Sequence, residues 1–99
     1  VAVDIRKESP TFGKHLALEL SATNKNQLLI PSGFAHGFVV LSETAIFAYK
    51  VDNYYNKKSD RGIAFDDAAL EIDWRLSINE LQLSTKDIQQ PLFKDAECF

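Results

Sequence analysis

Residues 30–38 of this chain read IPSGFAHGF, and this stretch predicts a turn that leads into a strand. Pro31 fixes its own φ angle and Gly33 tolerates a positive one, so the pair is typical of a tight turn. His36 lies where the turn feeds a strand, and Tyr49 lies in the middle of the next predicted strand. A rigid β scaffold that presents a histidine and a tyrosine in this way is typical of a binding cavity.

Side-chain alternation along these two strands places both polar residues on apolar faces. Tyr49 shares its face with Phe47 and Val51, so its ring is predicted to point inward, and His36 shares its face with Phe38. Two interpretations stay open from the spacing alone. The two side chains line a cavity, or they are core residues whose hydrogen bonds are satisfied by the backbone.

The rest of the chain predicts an all-β, jelly-roll type of fold with short C-terminal helices. Period-two patterns predict strands at Val1–Ile5, His15–Leu20, Gln27–Ile30, Gly37–Leu41, Ala45–Val51 and Arg61–Phe65, the fourth and fifth as a hairpin. Asp66–Leu70 predicts a helical turn, and Ser84 predicts the N-cap of a short helix that Pro91 ends. Many short strands without long helical patterns favour a sandwich or barrel and disfavour a Rossmann-like fold.

Composition narrows the class of protein further. The 99 residues fit one domain, with 45% hydrophobic and 25% charged residues. A net charge of −3 gives no electrostatic case for nucleic acid binding. Apolar runs fall far short of the roughly 20 residues that a membrane span needs. Cys98 is the single cysteine, which suits a reducing, cytoplasmic setting.

The sequence gives little support for a metal site or for nucleophilic catalysis. A metal site needs three or four converging ligands, and the only histidines are His15 and His36. No serine stands in a glycine-flanked elbow, and no glycine-rich phosphate loop is present. We therefore expect no metal and no cofactor.

The start of the chain is unusual. The chain contains no methionine and opens directly on the alternating strand Val1–Ile5. We expect from this that it is a piece of a longer protein. Removal of an initiator methionine is the alternative.

Ordered motifs across nearly the whole chain resemble the dTDP-4-dehydrorhamnose 3,5-epimerase family, cupin-like jelly-roll enzymes of deoxysugar biosynthesis. The resembling segments, in order, are Val1–Arg6, Ser9–Gly13, Glu19–Ala22, Ile30–Phe38, Tyr49-Lys50, Tyr54-Tyr55, Phe65–Ala68, Ile72–Trp74 and Leu83–Asp87. The resemblance implies a cupin-like jelly roll over residues 1–99, present in part. It also implies a homodimer and a dTDP-4-keto-6-deoxy sugar as substrate.

The resemblance implies a reaction and a set of residues for it. The family inverts C3 and C5 of a 4-keto sugar nucleotide through an enolate, with a histidine base that an aspartate orients and a tyrosine acid. By motif, Tyr49 resembles the acid and Asp87 resembles the orienting aspartate. His36 resembles a pocket residue near the substrate, and Tyr55 resembles an aromatic contact with the nucleotide.

Two departures from the family pattern limit this assignment. The family's base belongs to an Arg-Gly-Leu-His segment that residues 1–99 do not contain, and its enolate-stabilising lysine is also absent from them. The usual Trp-Pro is Trp74-Arg75 here, which we interpret as a surface change. We therefore expect the isolated chain not to epimerise. Two alternatives remain: a catalytically dead module that binds sugar nucleotides or assists assembly, and a related cupin ketoisomerase.

Overall fold

A computed structural model describes residues 1–99, and its centre is a small antiparallel sheet. The strands are β1 (Ala2–Asp4), β2 (His15–Leu16) and β3 (Phe34–His36), in the order β2-β1-β3. All three residues of β1 are buried, since β1 is the middle strand. The strand predicted at the start of the chain is therefore confirmed.

The turn predicted before His36 is also present. Gly33 has a φ of +88°, a conformation that side chains other than glycine rarely adopt. A Cβ built there would lie 2.6 Å from the Arg6 Cγ atom, so the position has no room for a side chain. The following strand begins at Phe34, earlier than the predicted Gly37–Leu41, because the Gly33 carbonyl already accepts a hydrogen bond from Ile5.

A buried carboxylate ties the loop after β1 to the sheet. Asp4 is 1% exposed, and its oxygens accept hydrogen bonds from the guanidinium of Arg6 at 2.9 Å and from the hydroxyl of Ser9 at 2.6 Å. The hydroxyl of Thr11 donates a further bond to the same carboxylate. The Arg6 guanidinium, with the two hydroxyls, holds the pKa of Asp4 far below its usual range.

The apolar core lies against one side of β1. Val3, Ile5 and Leu70 are its buried members. Partly buried side chains surround them: Val1, Ala35, Ile63, Ile72, Phe93 and Cys98. The last residue is joined to the segment after β1, because the backbone N–H of Phe99 donates to the Ile5 carbonyl at 3.0 Å.

Five predicted strands differ from the structure. His15–Leu20 is paired only over His15–Leu16. Gln27–Ile30, Arg61–Phe65 and the predicted hairpin of Gly37–Leu41 with Ala45–Val51 form no ladder with another part of the chain. Alternation reports which way the side chains of an extended segment point, but it does not supply the neighbouring backbone that a strand must pair with.

The second half of the chain contains the helical structure, including the predicted short helix. Helix α1 spans Thr85–Ile88, and the Ser84 hydroxyl accepts a 3.1 Å hydrogen bond from the Asp87 N–H, as an N-cap does. Three single 3₁₀ turns occupy Lys57–Ser59, Ile78–Glu80 and Phe93–Asp95. None of these helices has the length and apolar character that crossing a bilayer requires.

The helical turn predicted at Asp66–Leu70 is a hydrogen-bonded turn and not a helix. The N–H of Leu70 donates to the Asp67 carbonyl at 3.1 Å. The Asp67 carboxylate accepts from the backbone N–H groups of Ala69 and Phe93 at 2.9 and 2.5 Å. These two bonds hold the pKa of Asp67 below its usual range, and they join this turn to the C-terminal segment.

Candidate functional site

An open groove of about 930 Å³ brings two of the four predicted site residues together. Tyr49, just before the polar loop that follows residue 51, and Tyr55, within that loop, both line it. Asp60 closes the same groove beyond the Lys57–Ser59 turn. Tyr54 and Asp52 line it as well, so the groove combines three phenol side chains with two carboxylates.

Tyr49 faces this groove and not the core. Its side chain is 71% exposed, which contradicts the prediction that the ring points inward and excludes a core role within this chain. The predicted shared face with Phe47 is confirmed, since the two ring centroids lie 5.3 Å apart. The ring points outward because the extended segment that carries it has no sheet neighbour in residues 1–99.

Tyr55 is anchored through its hydroxyl group. The hydroxyl donates a 3.1 Å hydrogen bond to the Asp60 carboxylate, which also pairs with the Lys86 ammonium. The Lys86 ammonium, followed by the Tyr55 hydroxyl, lowers the pKa of Asp60, and Asp60 in turn raises the pKa of Lys86. Asp60 therefore stays ionised and holds both partners in the neutral pH range.

Asp87 lies beside the groove on α1, one residue after Lys86. The Lys86–Asp60 ion pair connects α1 to the groove wall, although Asp87 itself is not part of the lining. Its carboxylate is exposed, and its backbone N–H is bound to Ser84. The structure thus places the predicted orienting aspartate next to the groove, on an element that is fastened to it.

His36 lies outside the groove, at the exposed end of β3. It stands opposite Ala2, and the next residue, Gly37, exchanges backbone hydrogen bonds of 2.9 and 3.0 Å with Val1. These two bonds fix the backbone around the imidazole. The connection to the groove runs through Phe38, whose ring stacks on Phe47 at 4.1 Å.

The two histidines lie on opposite faces of the sheet. His36 stands opposite Ala2, and His15 stands opposite Val3. Cross-strand partners share a face, and consecutive residues of β1 point to opposite faces, so the imidazoles point apart. No group of three or more His, Cys, Asp or Glu side chains in the chain is arranged to hold a metal ion.

Sequence reasoning missed Asp60 and Lys86. The sequence shows an acidic residue after a polar loop and a lysine beside Asp87, but it contains no signal that pairs residues 26 positions apart. The ion pair depends on how the C-terminal segment folds back over the loop, which local patterns do not report.

Trp74 is a packing residue. Its indole N–H donates to the Phe65 carbonyl at 2.8 Å, and the rings of these two residues meet edge-on at 6.4 Å. The next residue, Arg75, is exposed and has a φ of +66°. Proline cannot adopt that angle, so the Trp-Arg sequence requires a different local backbone from a Trp-Pro sequence.

The sequence of this chain matches one family of known proteins. A family model described as dTDP-4-dehydrorhamnose 3,5-epimerase matches residues 1–95. The dTDP-4-dehydrorhamnose 3,5-epimerase of Shigella flexneri is 56% identical over 100% of this chain and 54% of its own length. The protein of the same name in Pseudomonas aeruginosa is 52% identical, with the same coverage of both chains.

Two solved structures share the fold. The crystal structure of dTDP-4-dehydrorhamnose 3,5-epimerase from Elizabethkingia anophelis has a TM-score of 0.92 and 56% identity, over 95% of this chain and 52% of that one. The dTDP-6-deoxy-D-glucose-3,5-epimerase of Legionella pneumophila, in complex with dTDP-4-keto-L-rhamnose, has a TM-score of 0.91 and 50% identity, over 95% and 50%. The predicted all-β, cupin-like class is confirmed, and the chain spans about half the length of these relatives. The chain belongs to the dTDP-4-dehydrorhamnose 3,5-epimerase family.

Proposed function

We propose that this chain supplies the proton donor, the base-orienting carboxylate and the nucleotide contact of an enzyme that inverts C3 and C5 of a dTDP-4-keto-6-deoxy sugar. The observation that carries the proposal is the exposed phenol of Tyr49 in a groove that it shares with Tyr55. Membership of the epimerase family supports the substrate class. The reaction needs no redox step, since both carbons lie next to the ketone.

Proton transfer is the chemistry that these side chains offer. Carbons α to the 4-ketone are acidic, so a base removes a proton from one face and leaves an enolate. A phenol with a pKa of about 10 is protonated at neutral pH and able to deliver a proton to the opposite face. Tyr49 takes this role, because it lines the groove and its ring contacts that of Phe47.

Asp87 orients the base in this proposal. A carboxylate that accepts a hydrogen bond from an imidazole fixes its tautomer and stabilises its protonated form. The exposed carboxylate of Asp87, on a helix fastened beside the groove, is free to accept that bond. The histidine comes from a segment outside residues 1–99, because the family's Arg-Gly-Leu-His motif does not occur in them.

Substrate binding divides between the two ends of the site. Tyr55 contacts the nucleotide, since its aromatic ring is exposed and its hydroxyl is fixed by Asp60. His36 contacts the sugar from the end of β3, on a backbone that hydrogen bonds hold rigid.

We place the reaction in the cytoplasm, because the single Cys98 suits a reducing compartment.

Association into a homodimer is part of the proposal. Large apolar side chains lie open to solvent along the extended segments, with Leu29 89% and Ile46 99% exposed. Exposed apolar surface of this extent marks an interaction site. A partner subunit covers part of it.

The test compares the isolated chain with a chimera that joins it to the unmatched part of the Shigella flexneri relative. We expect the isolated chain to bind dTDP, with NMR shifts at the Tyr55 ring, but not to turn over the keto sugar. The chimera epimerises. In the chimera, Tyr49→Phe lowers the rate of inversion by about 10²–10⁴-fold, the range of general acid catalysis.

Deuterium exchange in D₂O separates the acid from the base. Because the base still removes the α-proton in Tyr49→Phe, deuterium enters the sugar without inversion. Tyr55→Ala instead raises KM and leaves the inverted product. Inversion at the unchanged rate in Tyr49→Phe would overturn the donor assignment, and dTDP binding without turnover in the unmutated chimera would favour the binding module.

A further inference from the structure

Three aromatic side chains form a stack beside the groove. The rings of Phe38 and Phe47 lie 4.1 Å apart and nearly parallel, at 14°. Tyr49 continues the stack, with its ring centroid 5.3 Å from that of Phe47 and tilted by 38°. Phe47 is therefore in contact with a ring on each side.

The stack joins two segments that no backbone ladder connects. Phe38 follows β3, whereas Phe47 and Tyr49 belong to the extended segment after the loop at Ser42. Phe47 and Tyr49 are two residues apart, so their side chains leave an extended backbone on the same side. The position of the Tyr49 ring thus depends on side-chain packing.

Tyr49 and Tyr55, which both line the groove, are held in different ways. The hydroxyl of Tyr55 is anchored by Asp60 at 3.1 Å, whereas the contacts of the Tyr49 ring are aromatic. An exposed ring samples several staggered χ1 rotamers on a nanosecond scale unless a neighbour blocks them. A proton donor works only when its hydroxyl is held at the reacting carbon.

We propose that Phe47, backed by Phe38, is a positioning residue that holds the Tyr49 ring in one χ1 rotamer and so aims its hydroxyl into the groove. The tilted contact between Phe47 and Tyr49, at 5.3 Å, lies in the range that is favourable for aromatic pairs. The parallel contact with Phe38 prevents Phe47 from turning away. The catalytic consequence rests on the proposed function, but the effect on the rotamer does not.

The first experiment measures the Tyr49 rotamer by NMR in the 99-residue chain, from χ1 couplings and ring-to-backbone NOEs. We expect one dominant rotamer in the unmutated chain and averaged couplings in Phe47→Leu. Phe47→Tyr keeps a ring in the stack and restores the single rotamer. Phe12→Leu is the matched control, because it removes a ring that pairs with Phe93 and lies outside the stack.

Folding is monitored in the same spectra through the methyl groups of Leu70 and the slow amide exchange of β1. Phe38→Leu gives a second, independent variant. It removes the ring that packs on Phe47 and leaves the rings of Phe47 and Tyr49 in place. We expect a smaller loss of rotamer order in Phe38→Leu than in Phe47→Leu. A single Tyr49 rotamer in both leucine variants would overturn the inference.

The second experiment measures inversion in the chimera described above. Phe47→Leu lowers kcat by roughly 2- to 10-fold, the range that the coupling of one aromatic pair corresponds to, with KM unchanged. Phe47→Tyr recovers kcat. A rise in KM alone would contradict a positioning role for Phe47.

The two proposals fail in different ways. Rotamer averaging in Phe47→Leu together with full activity in Tyr49→Phe would refute the donor role and leave the packing inference intact. A fixed rotamer in Phe47→Leu together with an inactive Tyr49→Phe would refute the packing inference and leave the donor role intact.

Discussion

Asp4 is the residue on which the N-terminal strand and its loop depend most directly. Its carboxylate is buried, yet it accepts charge-assisted bonds from Arg6 and further bonds from Ser9 and Thr11. Satisfied bonds of this kind make a buried charge acceptable, and the loss of one partner leaves the others unpaired. The network explains why Asp-x-Arg followed by a Ser-Pro-Thr turn forms one local unit.

Replacement of Asp4 by asparagine is expected to lower stability at pH 7 and to flatten its dependence on acid. The folded-state pKa of Asp4 is depressed, so its stabilising effect is complete above its unfolded pKa of about 4 and is lost as the pH falls through the folded value. Urea unfolding between pH 2 and 7 measures this effect. Stability of the unmutated chain should fall on acidification below about pH 4, and that of Asp4→Asn should fall less.

Asp66→Asn is the control for this experiment, because Asp66 is an exposed aspartate. It should follow the unmutated chain closely over the whole range. If the curves of Asp4→Asn and the unmutated chain ran parallel from pH 2 to pH 7, the ionised carboxylate would not be the stabilising form.

At the scale of elements, α1 is the part of the site with the weakest support. A helix of four residues gains little from its own hydrogen bonds, so its capping and its ion pair matter. The Ser84 hydroxyl caps the Asp87 N–H, and Lys86 joins the helix to Asp60. Two contacts therefore position Asp87: the cap bond to its own N–H and the ion pair of the neighbouring Lys86.

Removal of the cap by Ser84→Ala is expected to destabilise α1 by about 0.5–2 kcal/mol. Amide exchange at Asp87 and Ile88 should become faster, while exchange in β1 stays the same. Ser77→Ala is the matched control, since Ser77 precedes the Ile78–Glu80 turn without a side-chain cap bond. Equal effects of the two alanine variants on exchange at Asp87 would show that the cap does not hold α1.

Elements with a purely local cause could be predicted from the sequence. The turn at Gly33 follows from the need for a positive φ, and the start of α1 follows from the serine at its N-cap. Which extended segments pair in a ladder and the Lys86–Asp60 ion pair could not be predicted, because both depend on residues that are distant in the sequence. For the same reason the inward orientation predicted for Tyr49 was wrong: its pattern shows which residues share its face and not what covers that face.

At the scale of the whole molecule, the chain exposes more surface than its mass predicts. A compact monomer of 11.2 kDa is expected to expose about 5,700 Å², whereas this chain exposes 8554 Å². The excess, about 2,900 Å² per chain, amounts to about 5,800 Å² over two chains, which matches the upper end of the total area that obligate subunit interfaces bury. The small core also indicates that the chain associates. Only six of the 99 residues are buried, and so small a core contributes little to stability.

The chain is therefore expected to self-associate at micromolar concentration, and charged substitutions in the extended segments should reverse this. Sedimentation velocity should show a dimer or larger species for the unmutated chain. The double variant Leu29→Lys and Ile46→Lys should shift it toward the monomer, because both side chains are almost fully exposed and a buried charge in an interface is costly. Lys57→Glu and Lys58→Glu together form the control, since these residues lie on an exposed polar turn and should leave the association unchanged. A monomeric unmutated chain at these concentrations would mean that the exposed apolar side chains do not drive contact between copies of this chain.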